Sequence, residues 1–111
     1  MNRPADAEVV FRLLATKSGG KDRPIMSGYR PAYAIRENYW TSTNHAFLDV
    51  SELDPGNSAR AHIWFLTPEV YPNSLWIGRE IPVAEGNRVI GNAVVVAIFN
   101  PLLLAEESFD S

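Results

Sequence analysis

Proline and glycine recur too often in this chain for a long helix to form. Eight prolines and seven glycines are spread over 111 residues, and no stretch between them repeats apolar residues at i, i+3 and i+4. What lies between the breakers is short and rich in β-formers. Residues 7–16 (AEVVFRLLAT) are apolar and end at Lys17-Ser18-Gly19-Gly20. Residues 17–31 hold three glycines and two prolines and read as loop. Residues 32–36 (AYAIR) alternate and suit a strand entered from Pro31. Residues 44–50 are a weaker strand candidate, and Leu53-Asp54-Pro55-Gly56-Asn57 then matches a type II turn, whose third position needs a glycine.

In residues 59–66 (ARAHIWFL), Ala59, Ala61, Ile63 and Phe65 share one side. Arg60, His62, Trp64 and Leu66 share the other, so Trp64 and Leu66 predict burial on both faces, under a neighbouring element. Residues 75–83 read as a strand broken near Gly78 and Pro82, and Glu85-Gly86-Asn87 as a tight turn into residues 88–99, the clearest strand of all. The uncharged run 89–105 is too short for a membrane helix of about 20 apolar residues, and it carries Asn92, Asn100 and Pro101. It reads as a core strand followed by a tail. Six short strands with turn punctuation predict an all-β fold, a small closed antiparallel barrel or a sandwich. The length suits one domain. We expect a flexible N-terminus over 1–6, a barrel over 7–101 and a C-terminal tail over 102–111, frayed at its end.

The chain has no cysteine, which removes thiolate metal sites, disulfides and cysteine nucleophiles from consideration. Residues 2–8 are polar and lack the apolar core of a signal peptide, so a cytoplasmic protein is expected. His45 and His62 stand in no metal-binding spacing, no glycine-lysine-serine/threonine phosphate loop follows Gly19-Gly20, and no nucleophile elbow is present. No base or nucleophile is nominated, so the expectation is a protein that is not an enzyme and uses neither metal nor cofactor.

The formal net charge of −3 speaks mildly against bulk nucleic-acid binding. It hides an asymmetry: residues 1–36 hold seven basic and three acidic residues, whereas residues 37–111 hold three basic and ten acidic ones. Such a chain folds either into a two-signed surface, one face of which suits an anionic partner, or into a mixed and merely solvated one. Aromatic residues are plentiful. Tyr39 and Trp40 precede Thr-Ser-Thr in an expected loop, where, with Trp76, they serve either as contact anchors or as covers folded over a barrel end.

The ordered set Gly19-Gly20, Pro24, Gly28-Tyr29-Arg30-Pro31, Arg36, Pro55-Gly56, Pro68 and Glu85-Gly86-Asn87-Arg88-Val89-Ile90-Gly91 resembles the third, C-terminal domain of elongation factor Tu. The likeness covers about residues 7–99, without a gap from Gly19 to Pro68 and with a slightly longer segment before Glu85. It implies a six-stranded antiparallel barrel that binds and does not catalyse, because the family's GTPase chemistry lies in a separate domain. It also implies contact with the backbone of a tRNA T stem. Lys21, Arg30, Thr41, Glu85 and Gly86 keep the character of the family's contact positions. Asp22, Ala32, Thr67 and Ala84 depart from it, with loss of cations and donors.

Two partner classes follow. One is weak, sequence-independent binding of tRNA or similar RNA through Lys21, Arg23, Arg30 and Thr41 beside the Glu85-Gly86 turn. The other is a protein-interaction or antagonist module, binding or mimicking partners of the elongation factor such as a translation factor or a toxin, with Tyr39, Trp40 and Trp76 as contacts.

Overall fold

The computed structural model describes residues 3–105. Eight strands form: β1 (Ala7–Leu13), β2 (Ile25–Met26), β3 (Ala32–Arg36), β4 (Tyr39–Phe47), β5 (Glu52–Leu53), β6 (Ser58–Phe65), β7 (Glu80–Glu85) and β8 (Arg88–Ile98). Six of them close into a barrel in the order β1-β6-β4-β3-β7-β8, every neighbouring pair antiparallel, while β2 and β5 make a two-stranded flap. The fold is therefore the all-β closed barrel of six strands expected from the strand count, and closure removes the exposed sheet edges that a sandwich would keep.

Alternation decides what fills it. In β1, Val9, Phe11 and Leu13 point inward, in β6 Ala59, Ala61, Ile63 and Phe65, and in β8 Ile90, Ala93 and Val95. The small alanines of β6 leave room for the rings of Phe11, Tyr33, Phe47 and Phe65 at the centre. Gly56 adopts φ 90°, the left-handed conformation that the expected turn requires. Gly91 has a different reason: it faces Leu13 across the β1–β8 ladder, and a Cβ there would collide with the Arg12 carbonyl oxygen. Gly91→Ala should therefore lower stability by about 1–3 kcal/mol in urea titration. An unchanged midpoint would show that β1 and β8 can part at no cost.

Several local expectations are corrected. β4 begins at Tyr39, not at residue 44, so Tyr39 and Trp40 lie in a strand and not in a loop. Its inward residues are Thr41, Thr43 and His45 before the first apolar one, Phe47, which hides the strand from a hydrophobicity reading. β1 stops at Leu13, and a short 3-10 turn follows at Thr16–Ser18. β7 lies at 80–85 rather than 75–83. Pro82 fits inside it because the β3–β7 pairing spans only Ala32–Ala84 and Tyr33–Val83 and does not call on its missing N–H. Leu66 is 72% exposed, so no neighbouring element covers it as the apolar run had suggested.

Among the described residues, the segments expected as a flexible N-terminus over 1–6 and a tail over 102–111 make the following contacts with the barrel. Asp6 is fully buried. Its carboxylate accepts from Arg3 (2.6 and 3.0 Å), from the Phe65 backbone N–H (2.8 Å) and from the Asn100 amide (2.9 Å). Its carbonyl accepts from the N–H groups of Phe99 and Asn100. At the other end Leu103 is buried, and Leu104 bridges in parallel to Leu75. The expected fraying at Glu106–Ser111, like Met1 and Asn2 of the expected flexible N-terminus, falls outside the described residues.

Candidate functional site

The residues expected to contact RNA do not share one surface role. Lys21 enters from the loop after the Gly19-Gly20 turn and reaches Glu85 at the end of β7, with Nζ 2.9 and 2.8 Å from the two carboxylate oxygens. The Tyr29 hydroxyl donates to the same carboxylate at 2.6 Å, and Lys21 Nζ stands 5.7 Å from the centre of the Tyr29 ring. Partial burial pushes the Glu85 carboxyl upward, but the Lys21 and Tyr29 hydrogen bonds and the Lys21 and Arg88 charges outweigh it, so its pKa lies below the usual value. Burial and the Glu85 hydrogen bond hold the Tyr29 hydroxyl far above its ordinary pKa, so it remains a donor. This triad ties residues separated by 64 positions and neutralises the Lys21 charge across the two halves of the chain. Gly86 is the exposed tip of the β7–β8 turn.

Arg23 and Arg30 are exposed and have no ion pair or hydrogen bond among the described residues. Thr41 is only 5% exposed and faces the barrel interior, so its hydroxyl is directed away from any partner at the surface.

Interior polarity serves a structural end. His45 Nδ1 lies 3.1 Å from the Tyr29 carbonyl, which can only accept, so the proton sits on Nδ1. Nε2, 2.6 Å from the Tyr33 hydroxyl, is then the acceptor of that buried donor. Burial holds the Tyr33 hydroxyl well above its ordinary pKa and drives His45 down to about 4. His45 also receives Gly28 N–H at its carbonyl and donates its own N–H to Tyr29, which docks the Gly28-Tyr29 segment onto β4.

The aromatic residues separate into two settings. Trp76 lies under Arg79, whose guanidinium is 5.0 Å from its ring centre and donates to the carbonyls of Ser74 and Ile35. That ring packs on a structural arginine and is still 49% exposed. Tyr39 and Trp40, 60% and 48% exposed, begin β4, and among the described residues neither stacks on another ring.

Trp40 belongs to a surface that the sequence did not nominate as a site. On the outer face of β4, Trp40, Ser42 and Asn44 alternate with the inward residues. Ala34 lies beside Trp40, Ala32 beside Ser42, and Trp64 beside Asn44, while Leu66 donates its N–H to the Ser42 carbonyl. A cleft of about 210 Å³ opens here between Arg30, Ser42, Asn44, Trp64, Leu66 and Arg3. The Trp64 indole N–H donates to the Arg3 carbonyl, which fixes one wall. In another wall the Asn44 amide oxygen is buried without a hydrogen-bond partner. The available signal was the doubly apolar pattern of residues 59–66: the face that the chain itself does not cover is the one left open.

Among the described residues no group of three or more His, Asp or Glu side chains could hold a metal ion, and no helix is long and apolar enough to cross a membrane. No protein-family model matches the chain.

Proposed function

We propose that this chain is a non-catalytic binding module, akin to the third domain of elongation factor Tu, and that its partner is a protein seated on the outer face of β3, β4 and β6. One observation carries the reading: Trp40 and Leu66, two large apolar side chains, stand exposed on one outer face with Ala32, Ala34 and Trp64, around Ser42 and Asn44. Exposed large apolar side chains grouped on one face are what protein interfaces desolvate, with tryptophan enriched among the residues that dominate affinity. The likeness to the elongation factor suggests a translation factor or a toxin as the class of partner.

RNA is the second reading, favoured by the unpaired Arg23 and Arg30. With Lys21 held by Glu85, the two nominated cations left unpaired would by themselves give a salt dependence of only about two phosphate contacts. The experiment is affinity capture with the wild-type chain, with Trp40→Ala and with Leu66→Asp, each with and without ribonuclease. A protein retained by the wild type and weakened by about 2 kcal/mol in both variants supports the first reading. Capture that is unchanged by both substitutions and abolished by ribonuclease would replace it with the second.

A further inference from the structure

From the cleft between β4 and the end of β6 we infer the chemistry of the partner: an extended, acidic peptide segment that inserts one large apolar side chain. This rests on the reading of the chain as a protein-binding module and specifies what that surface accepts.

Size comes first. At about 210 Å³ the cleft is smaller than the roughly 300–1,000 Å³ of sites that enclose small-molecule ligands, and it suits a single side chain. Its apolar walls are Trp64 and Leu66, with Leu66 the most exposed part.

Charge comes second. Arg30 lines the cleft and carries no partner among the described residues. Arg3 lines the opposite side, but it is committed to Asp6 and also feels the charge of Glu69. Arg30 is therefore the cation left for a ligand, and its planar fork pairs with a carboxylate. A segment with acidic residues flanking the inserted side chain complements this rim, and a basic one is repelled.

Backbone geometry comes third. The β4–β6 ladder runs from Phe47–Ala61 to Thr43–Phe65, and Leu66 adds one bond to Ser42. The chain then leaves through Thr67 into a short turn that begins at Pro68. The Tyr39–Thr41 part of β4 consequently has β3 on one side and no strand on the other. A short open edge of this kind accepts an added extended segment through main-chain hydrogen bonds. Further along β4, where β6 does pair with it, the Asn44 amide oxygen lines the cleft, the one buried side-chain acceptor among the described residues without a donor. An extended peptide along Trp40 and Ser42 would bring its N–H groups to this edge and its side chain to the cleft.

The test is selection of a displayed random heptapeptide library on the whole chain, followed by titration of an enriched synthetic peptide into the ¹⁵N-labelled protein. Leu66→Asp, an exposed position that the fold does not need, serves as the counter-selection. The expected result is enrichment of sequences with one large apolar residue between Asp or Glu, with amide shifts at Trp40, Ser42, Asn44 and Leu66. Arg30→Glu should weaken that peptide at least tenfold, and exchange of its acidic residues for lysine should do the same. No enrichment over Leu66→Asp, enrichment of basic peptides, or equal binding by Arg30→Glu would overturn the inference. Saturable shifts confined to Lys21, Tyr29 and Gly86 would also overturn it, while leaving the chain a peptide-binding module. Chain-wide failure to select any peptide, together with salt-sensitive tRNA binding that shifts Arg23 and Arg30, would overturn both.

Discussion

Asp6→Ala should lower the stability of this protein by about 4 kcal/mol and its Tm by about 20 °C. The carboxylate is fully buried and receives four hydrogen bonds, two of them from groups that have no other acceptor in place: the Phe65 N–H and the Asn100 amide. Removing an acceptor leaves such donors dry, and each costs about 1–3 kcal/mol, more than the net worth of a hydrogen bond. Arg3→Ala is the informative comparison. Its side chain is 38% exposed, so water can replace it, but its loss takes the counter-charge from the fully buried Asp6 carboxylate and should cost about 2 kcal/mol, still less than Asp6→Ala. The two are to be measured by urea titration at pH 7. If Asp6→Ala costs no more than Arg3→Ala, the carboxylate acts only as a surface ion-pair partner and not as the clasp between β6 and the segment after β8.

Acid should weaken the fold in a window set by His45. Its pKa is about 6.5 when unfolded and about 4 in the barrel, lowered by burial against the opposing pull of its backbone contacts. Between those values the unfolded chain binds a proton that the native chain refuses, so stability rises with pH there. The contribution is complete above pH 6.5 and is lost progressively down to pH 4, where it amounts to about 3 kcal/mol. Protonation fails inside because Nδ1 already donates to Tyr29, and a second proton on Nε2 would confront the Tyr33 hydroxyl, which needs that lone pair. Glu85, whose pKa is depressed, adds a loss only at lower pH, as the solution passes below the ordinary carboxylate value near 4.5. Denaturation at pH 7 and pH 4.5 should therefore differ by about 2–3 kcal/mol in the wild type. The difference should flatten in His45→Phe, whatever its absolute stability. An equal slope in His45→Phe would assign the acid sensitivity to other groups.

Much of the barrel was legible because its apolar strands follow a two-residue period. β8, β6, the Pro55-Gly56 turn and the strand after Pro31 could be read from residue type alone. β4 was not, because Thr41, Thr43 and His45 occupy inward positions. Polar groups can sit there only when partners are supplied: Thr43 bonds the Thr41 carbonyl, and His45 bonds Tyr33 and Tyr29. Those partners come from other strands and loops, so no window of sequence contains the information.

The candidate site divides in the same way. Lys21 and Glu85 were both singled out as RNA contacts, yet they bond to each other across 64 positions, and Thr41 turned inward. Leu66 looked like core and proved the most exposed large apolar residue of the cleft.

The sequence by itself determined an all-β fold of short strands, since prolines and glycines forbid long helices and alternating strands can bury one apolar face only by closing into a barrel or by packing sheet on sheet. Only the tertiary structure decided which charges are spent internally and which apolar face remains uncovered. The reason is physical: charge pairing and burial depend on distance through space, and closure of the barrel brings together residues that the chain keeps far apart.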